Sequence, residues 1–409
     1  MVVHPFMDEL KAPLNACSLE TIPEAVLLLD GSYAWPLVIS CYELNESSRQ
    51  RHGHCQLHMI PVPDLEHASS MPLRFSHERL DLNEDLSGVL DGKWLEISDI
   101  TDCRRWCFAT AHADGTIGLY ALEIPQKTVE FPILDTDEFY RFRYLGCSEV
   151  EEHDESGVAP LCLSLNWDTT TNNSSGEYSR LVSTYSNGRV ALHDVSFHAL
   201  DARILERDSW QAHTMFTTPS EVWSACFASD ENNRLVLSCG DEGSVKIWDT
   251  RSTVRPLHVL KPFEAGATVA ACHPRRPHLV AIGSYDETLI ILDVRDPARK
   301  PLLHTAQLGG GIWRIKWHPY VDDRILVAAM HGGCRVLQID GLKEADGNQN
   351  SVYAPPITCR VTKRFTEHDS MAYGADWLVR RHPARNGYFE AAASCSFYDR
   401  AVYLWDSVL

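Results

Sequence analysis

Nowhere in the 409 residues is there a run of about 18 apolar side chains, so no membrane-spanning helix is expected. The opening stretch, MVVHPFMDELKAPLNACSLE, lacks a basic segment leading into an apolar one, so no secretory signal is expected either. The 13 cysteines include no C-x-x-C pair, the nearest spacing being Cys103-x-x-x-Cys107. An odd set of scattered thiols without a signal argues against a disulfide framework or a zinc site. Reduced core thiols such as Cys226, Cys239, Cys272 and Cys395 fit a cytoplasmic or nuclear protein better, and we take the cytoplasm as the expected compartment. Basic residues are also scarce: 37 Lys and Arg stand against 56 Asp and Glu, a net charge of −19. Phosphate binding needs clustered cations, so nucleic acid is excluded as the partner, while a cationic one is permitted. The chain has no G-x-S-x-G elbow, no H-E-x-x-H, no P-loop and no G-x-G-x-x-G. No cofactor and no metal are expected. The GGG at 309–311 is not followed by a helix pattern and reads as a loop where backbones approach closely.

What is present is a repeat. GDEGSVKIWDTR at 240–251 is a small-residue turn followed by alternating apolar positions. The pattern recurs as HADGTIGLYALE at 112–123, YSNGRVALHDVS at 185–196, SYDETLIILDVR at 284–295, MHGGCRVLQID at 330–340 and FYDRAVYLWDSVL at 397–409. The position of Trp248 is taken by Tyr120, His193, Leu292, Leu337 and Trp405, with steps of 73, 55, 44, 45 and 68 residues. The two tightest steps match the ~40–45-residue period of WD-repeat blades. Second runs precede each turn (RLVLSCG, HLVAIGS, RILVAAM), and third runs precede those (VWSACF, TVAACHP, IWRIKWHP, YGADWL). The period is two throughout, which favours strands over helices.

Four short strands per unit around an axis make an all-β, seven-bladed WD-repeat β-propeller. A single domain over residues 1–409 is expected, with loop insertions near 121–158, 169–177, 195–220 and 340–358. The sequence stops just after its last WD-like strand. An N-terminal strand near Asn15–Ile22 is therefore expected to close the ring, ahead of a first blade from about Glu24 to Pro72. A closed propeller has no free sheet edge, so a monomer is expected.

Six residues before each Trp248-like position sit Asp114, Asn187, Glu242, Asp286, His331 and Asp399. Short acids suit such turns, where they accept backbone hydrogen bonds. His331 is the exception, because a histidine can act as acid or base near neutral pH. The same face should carry Glu221 and Trp223, Gly309–Arg314 and Met371–Trp377. That gives an aromatic and acidic rim of Tyr285, Trp313, Tyr373 and Tyr398 with Asp286, Asp376 and Asp399. Aromatic faces with carboxylates suit a quaternary ammonium. The plainer reading makes Trp223, Trp313 and Trp377 buried inner-strand residues.

The ordered segments GSYDETLIILDVR, GGGIWRIKWHP, AAMHGGCRVLQ, MAYGADW and CSFYDRAVYLWD resemble the WD-repeat diphthine methylesterase family, whose members also carry the name diphthine methyltransferase. WQAHTMFTTPSEVWSACF is similar too, with His213 and the Glu221-x-Trp223 pair in family-like places, although extra residues separate His213 from Glu221. The resemblance covers roughly residues 205–409. It implies hydrolysis of the methyl ester of methylated diphthine on translation elongation factor 2, a late step of diphthamide biosynthesis. That substrate carries a trimethylammonium group.

Ester hydrolysis needs a nucleophile, a base and oxyanion donors. In one option His331 activates water, with Tyr398 or Arg314 stabilising the oxyanion. In the other, Ser396 or Ser284 is the nucleophile, with His331 or His213 as base. The competing class is a non-catalytic WD-repeat scaffold or substrate adaptor, since propellers are binding platforms and fold alone does not give function.

Overall fold

The computed structural model describes residues 8–63, 73–75, 79–97, 103–125, 140–149, 159–169, 178–198, 200–230, 234–305, 307–342, 357–381 and 387–407. Its seven large antiparallel sheets are the blades of a propeller. The innermost strands, in chain order, are Asn15–Thr21, Val89–Ile97, Cys162–Trp167, Val222–Ser229, Ala267–His273, Arg314–Trp317 and Ala372–Arg381. Each continues outward through three more strands, as in blade four: Val222–Ser229, Arg234–Gly240, Val245–Asp249 and His258–Leu260. No helix among the described residues is long and apolar enough to cross a membrane.

The ring is closed by an N-terminal strand, but not by the segment expected. Asp8–Lys11 pairs antiparallel with Ala401–Trp405 and completes blade seven. Asn15–Thr21 is instead the innermost strand of blade one, which runs from Asn15 to Ser87 rather than from Glu24 to Pro72. Burial explains the exchange. NACSLET is buried at every position from Ala16 to Thr21, as a strand with neighbours on both faces must be. DELK alternates half-buried and exposed, as an outer strand with one wet side does.

The expected insertions are partly strand. Residues 195–220 hold the outer strand Ala202–Gln211 and a small hairpin, Thr214–Met215 with Thr218–Pro219. Residues 121–158 include the outer strand Arg141–Cys147, while 126–139 and 150–158 lie outside the described residues. So do 170–177 and 343–356 of the other two insertions.

The core is divided among the gaps between blades. One cluster joins Cys226, Leu237 and Ile247 of blade four to Val280, Ile282 and Ile290 of blade five. Inner-strand tryptophans link neighbours further. Trp94 Nε1 donates to Glu20 O at 3.2 Å, Trp167 to Lys93 O at 3.1 Å, Trp317 to Ala271 O at 2.9 Å and Trp377 to Lys316 O at 3.0 Å. Each bond runs from one blade to the preceding one, so the indole both fills the gap and satisfies its own N–H.

Six inner strands begin with a shift in register of the same form: Ala16/Ser18, Val89/Asp91, Cys162/Ser164, Val222/Ser224, Ala267/Val269 and Ala372/Gly374. A bulge leaves one residue outside the ladder and re-aims its side chain. Here the skipped residue faces the propeller axis. The seven equivalent side chains are Cys17, Leu90, Leu163, Trp223, Thr268, Trp313 and Tyr373, and all of them line one cavity.

Candidate active site

That cavity, of about 230 Å³, opens at the end of the channel where the turns between second and third strands lie. Three of these seven side chains, Trp223, Trp313 and Tyr373, are aromatic and neighbour one another. Trp313 stacks on Tyr373 with centroids 4.8 Å apart and meets Trp223 edge-on at 5.4 Å. Tyr285, from the turn of blade five, fills the gap at 5.9 Å from Trp313 and 6.2 Å from Trp223. The row continues through Phe397, 5.1 Å from both Tyr373 and Tyr42, to the exposed Tyr398, 5.0 Å from Phe397.

The glycines at 309–311 deliver Trp313 to this place. A Cβ on Gly310 would fall 2.2 Å from Ala329 O, so only glycine lets this loop pass the turn of blade six.

The charged groups of the cavity are Glu221, Arg51 and Arg314. Glu221 is half-buried just before the blade-four inner strand, and its carboxylate has no hydrogen-bond partner among the described residues. Burial, then the neighbouring Asp241, push its carboxyl above the ordinary value, and Arg51 pulls back without cancelling them. Asp241 itself accepts from Trp223 Nε1 at 2.9 Å, which fixes the indole's orientation. Arg314 forms the floor. Its Nη1 lies 3.2 Å from Asp91 Oδ1, while its Nε is buried without a partner.

Below Arg314 the channel is crossed by a compact ion network. Lys93 bridges Glu20 and Asp91, each at 2.7 Å, and Lys316 joins Glu20 to Asp376, the latter at 3.1 Å. Burial would raise Asp91, but Arg314 and Lys93 hold it well below the usual carboxylate range. This network borders a second cavity, of about 370 Å³, at the opposite end of the channel.

The structure gathers some of the residues expected from sequence and separates others. Glu221, Trp223, Tyr285, Trp313, Arg314 and Tyr373 share the cavity. Asp376 is not on their rim: it lies at the far end, accepting from the Thr21 amide at 2.9 Å and pairing with Lys316. Alternation along the inner strand separates it from the bulge residue Tyr373. Asp286 and Asp399 stay in their turns, where their oxygens are occupied. Asp286 accepts from the amides of Glu264 at 2.8 Å and Thr288 at 2.9 Å, and Asp399 from the amide of Asp369 at 3.0 Å.

His213 is fully buried in a relay that ties blade four together. Its Nδ1 lies 2.6 Å from Glu242 Oε1 and its Nε2 2.7 Å from Ser238 Oγ, to which Trp248 Nε1 donates at 2.9 Å. Ser396 is buried with its Oγ on Asp399, and Ser284 is buried with its Oγ 3.3 Å from Ala265 O. His331 is exposed at the tip of the blade-six turn, and neither it nor Tyr398 is among the side chains lining the cavity.

Sequence reasoning missed Tyr42 and Arg51, which come from blade one, where the repeat is faintest. It also missed Asp241, one residue before the turn acid of blade four.

The chain has counterparts among known proteins. Residues 208–249 match the family described as "WD domain, G-beta repeat". The chain is 28% identical over 330 residues to a "Diphthine methyltransferase homolog" of Dictyostelium discoideum, covering 78% of this chain and 76% of that protein. It is 30% identical over 295 residues to a human protein named "Diphthine methyltransferase", covering 72% of this chain but 56% of the human one. With the Schizosaccharomyces pombe protein of that name it shares 26% identity over 400 residues, 97% of this chain and 95% of the other. The chain is thus a seven-bladed WD-repeat β-propeller, related at 26 to 30% identity to the proteins named diphthine methyltransferase.

Proposed function

We propose that this protein hydrolyses the methyl ester of methylated diphthine on translation elongation factor 2. The observation that carries the reading is the aromatic box of Trp223, Tyr285, Trp313 and Tyr373, set beside Glu221 and over Arg314 in one cavity. Aromatic faces attract a desolvated quaternary ammonium. The relatives, moreover, are named for a methyl-group reaction on diphthine.

In this reading the trimethylammonium group sits in the box, and the ester carbonyl lies toward Arg314. Glu221 takes a proton from water as the water oxygen adds to the carbonyl carbon. The resulting oxyanion faces the guanidinium of Arg314. Collapse breaks the bond to the methoxy oxygen, which leaves as methanol with the proton held by Glu221, and the new acid ionises to a carboxylate. A carboxylate with a raised pKa is a better base near neutrality than an ordinary one.

The sequence points to His331 or His213 as base and places Glu221 in substrate binding; Glu221 is preferred as the base because it lines the cavity and His331 does not. His213, Ser284 and Ser396 are committed to structural hydrogen bonds. His331 and Tyr398, on the outer rim, are assigned to contact with the protein that carries the substrate, and the outer carboxylates of Asp286 and Asp399 to holding their turns.

The test is mass spectrometry of elongation factor 2 bearing the methylated ester after incubation with the purified protein. Loss of one CH2 in mass, with methanol released, is expected. An unchanged mass under conditions where the two proteins bind would leave a non-catalytic adaptor.

A further inference from the structure

The extra residues between His213 and Glu221 form the hairpin Thr214–Met215/Thr218–Pro219, which has Phe216 and Thr217 at its tip. Phe216 is 97% exposed and Met215 46%, the former among the most exposed large apolar side chains in the described molecule. Phe216 also has φ of +57°, the left-handed conformation that a hairpin tip ordinarily reserves for glycine or asparagine. A bulky aromatic there is doubly unfavourable for the isolated fold: the backbone is strained and the ring stands in water.

The base of the hairpin is nevertheless firmly held. The amides of Ala212 and His213 donate to Gly188 O at 2.8 and 3.0 Å, the Ser220 amide donates to His213 O at 3.2 Å, and Gln211 Nε2 donates to His213 O at 2.9 Å. The ring is thus presented from a rigid mount.

We infer that Phe216 and Met215 form a docking tip for the folded protein that carries the substrate side chain. The occupant follows from position and charge. The hairpin runs through Ser220 directly into Glu221 and Trp223, two walls of the aromatic cavity, so a body seated on the tip would bring a protruding side chain to the cavity mouth. Glu221 and Asp241 stand together at the start of the blade-four inner strand, just past the hairpin, while Lys246 Nζ donates to Ala212 O at the hairpin's base at 2.7 Å. An apolar tip beside the carboxylates of Glu221 and Asp241 fits a protein surface that offers an apolar recess next to a protruding cationic side chain. An isolated aromatic of this kind, fully desolvated on binding, has the properties of an interface hot spot. This inference rests on the reading of the cavity as an esterase site.

The test compares wild type with Phe216→Gly, which suits the positive φ and should leave the fold at least as stable. The substrates are elongation factor 2 bearing the methyl ester and a free methyl ester of an N-trimethylated amino acid. For the protein substrate, KM should rise about tenfold. Kinetics on the free ester and the melting temperature should not fall, and Phe216→Tyr should restore most of the affinity. An unchanged KM for the protein substrate would overturn the docking role.

If neither ester is hydrolysed by wild type, the esterase reading fails separately. Calorimetric titration of wild type and Phe216→Gly with the modified factor then decides the docking role. Binding weakened by about tenfold in the variant sustains it; equal binding, or none to wild type, overturns it.

Discussion

Glu221 is the residue on which the chemistry turns. It is half-buried beside Asp241 in the mouth cavity, and its carboxyl is pushed upward by burial and by that neighbour. As a base it must be ionised, so activity should decline as pH falls through its raised pKa and hold above it. Glu221→Gln should slow hydrolysis by about 10²–10⁴ and remove that limb of the pH profile, while His331→Ala should leave both near wild type. Steady-state rates across pH check both. Trp313→Leu should instead raise KM for the free trimethylammonium ester, by about tenfold, with little change in kcat.

Offsets from the repeat place Trp223, Trp313, Tyr285 and Tyr373 on one face, and the four share the cavity. Those offsets could not separate Asp376 from that group. Which side chain faces the axis depends on a bulge at the start of six of the seven inner strands, and a bulge leaves no composition signal in sequences as varied as NACSLET and VWSACFAS.

At the scale of elements, the blade hairpins are set by buried relays. Burial would raise Glu242, but its hydrogen bonds to His213 and Ser244 bring it down to about 2. Replacing His213 by Ala would strand Glu242 and Ser238 without their shared partner and should cost about 3 kcal/mol in chemical denaturation. If His213 were instead the catalytic base, the same variant would lose rate with its stability intact.

The closing strand shows how far pattern reading reaches. The need for an N-terminal strand follows from a last blade one strand short, but the segment expected to supply it, near Asn15–Ile22, is not the one that does. NACSLET is buried along its length and takes the inner position of blade one, while DELK, with its alternate residues exposed, closes blade seven. Deleting residues 1–12 should expose the Ala401–Trp405 edge and give self-association on size-exclusion chromatography, while the other blades retain their β-sheet signal.

Across the whole molecule, buried histidines make stability depend on pH. Burial is the leading cause that lowers His112, His193, His273 and His368 to about 4, and it lowers His213 as well. In the unfolded chain these groups titrate near 6.5. Between those values the unfolded state binds more protons, so stability is complete above about 6.5 and falls as pH drops toward 4. Urea midpoints measured across that window should decline steadily, and a flat profile would contradict the buried, neutral assignment.

The ring itself also explains why the site is where it is. Seven inner strands converge on one axis, the ion network of Asp91, Glu20, Lys93, Arg314, Lys316 and Asp376 crosses it, and the aromatic box sits above. The most direct test of the account is to follow the mass of methyl-esterified elongation factor 2 with wild type and Glu221→Gln side by side. Loss of one CH2 with wild type, and none with the variant over the same interval, is the predicted result. Equal loss with both would contradict the assignment of the cavity as the active site, and no loss with either would contradict the esterase.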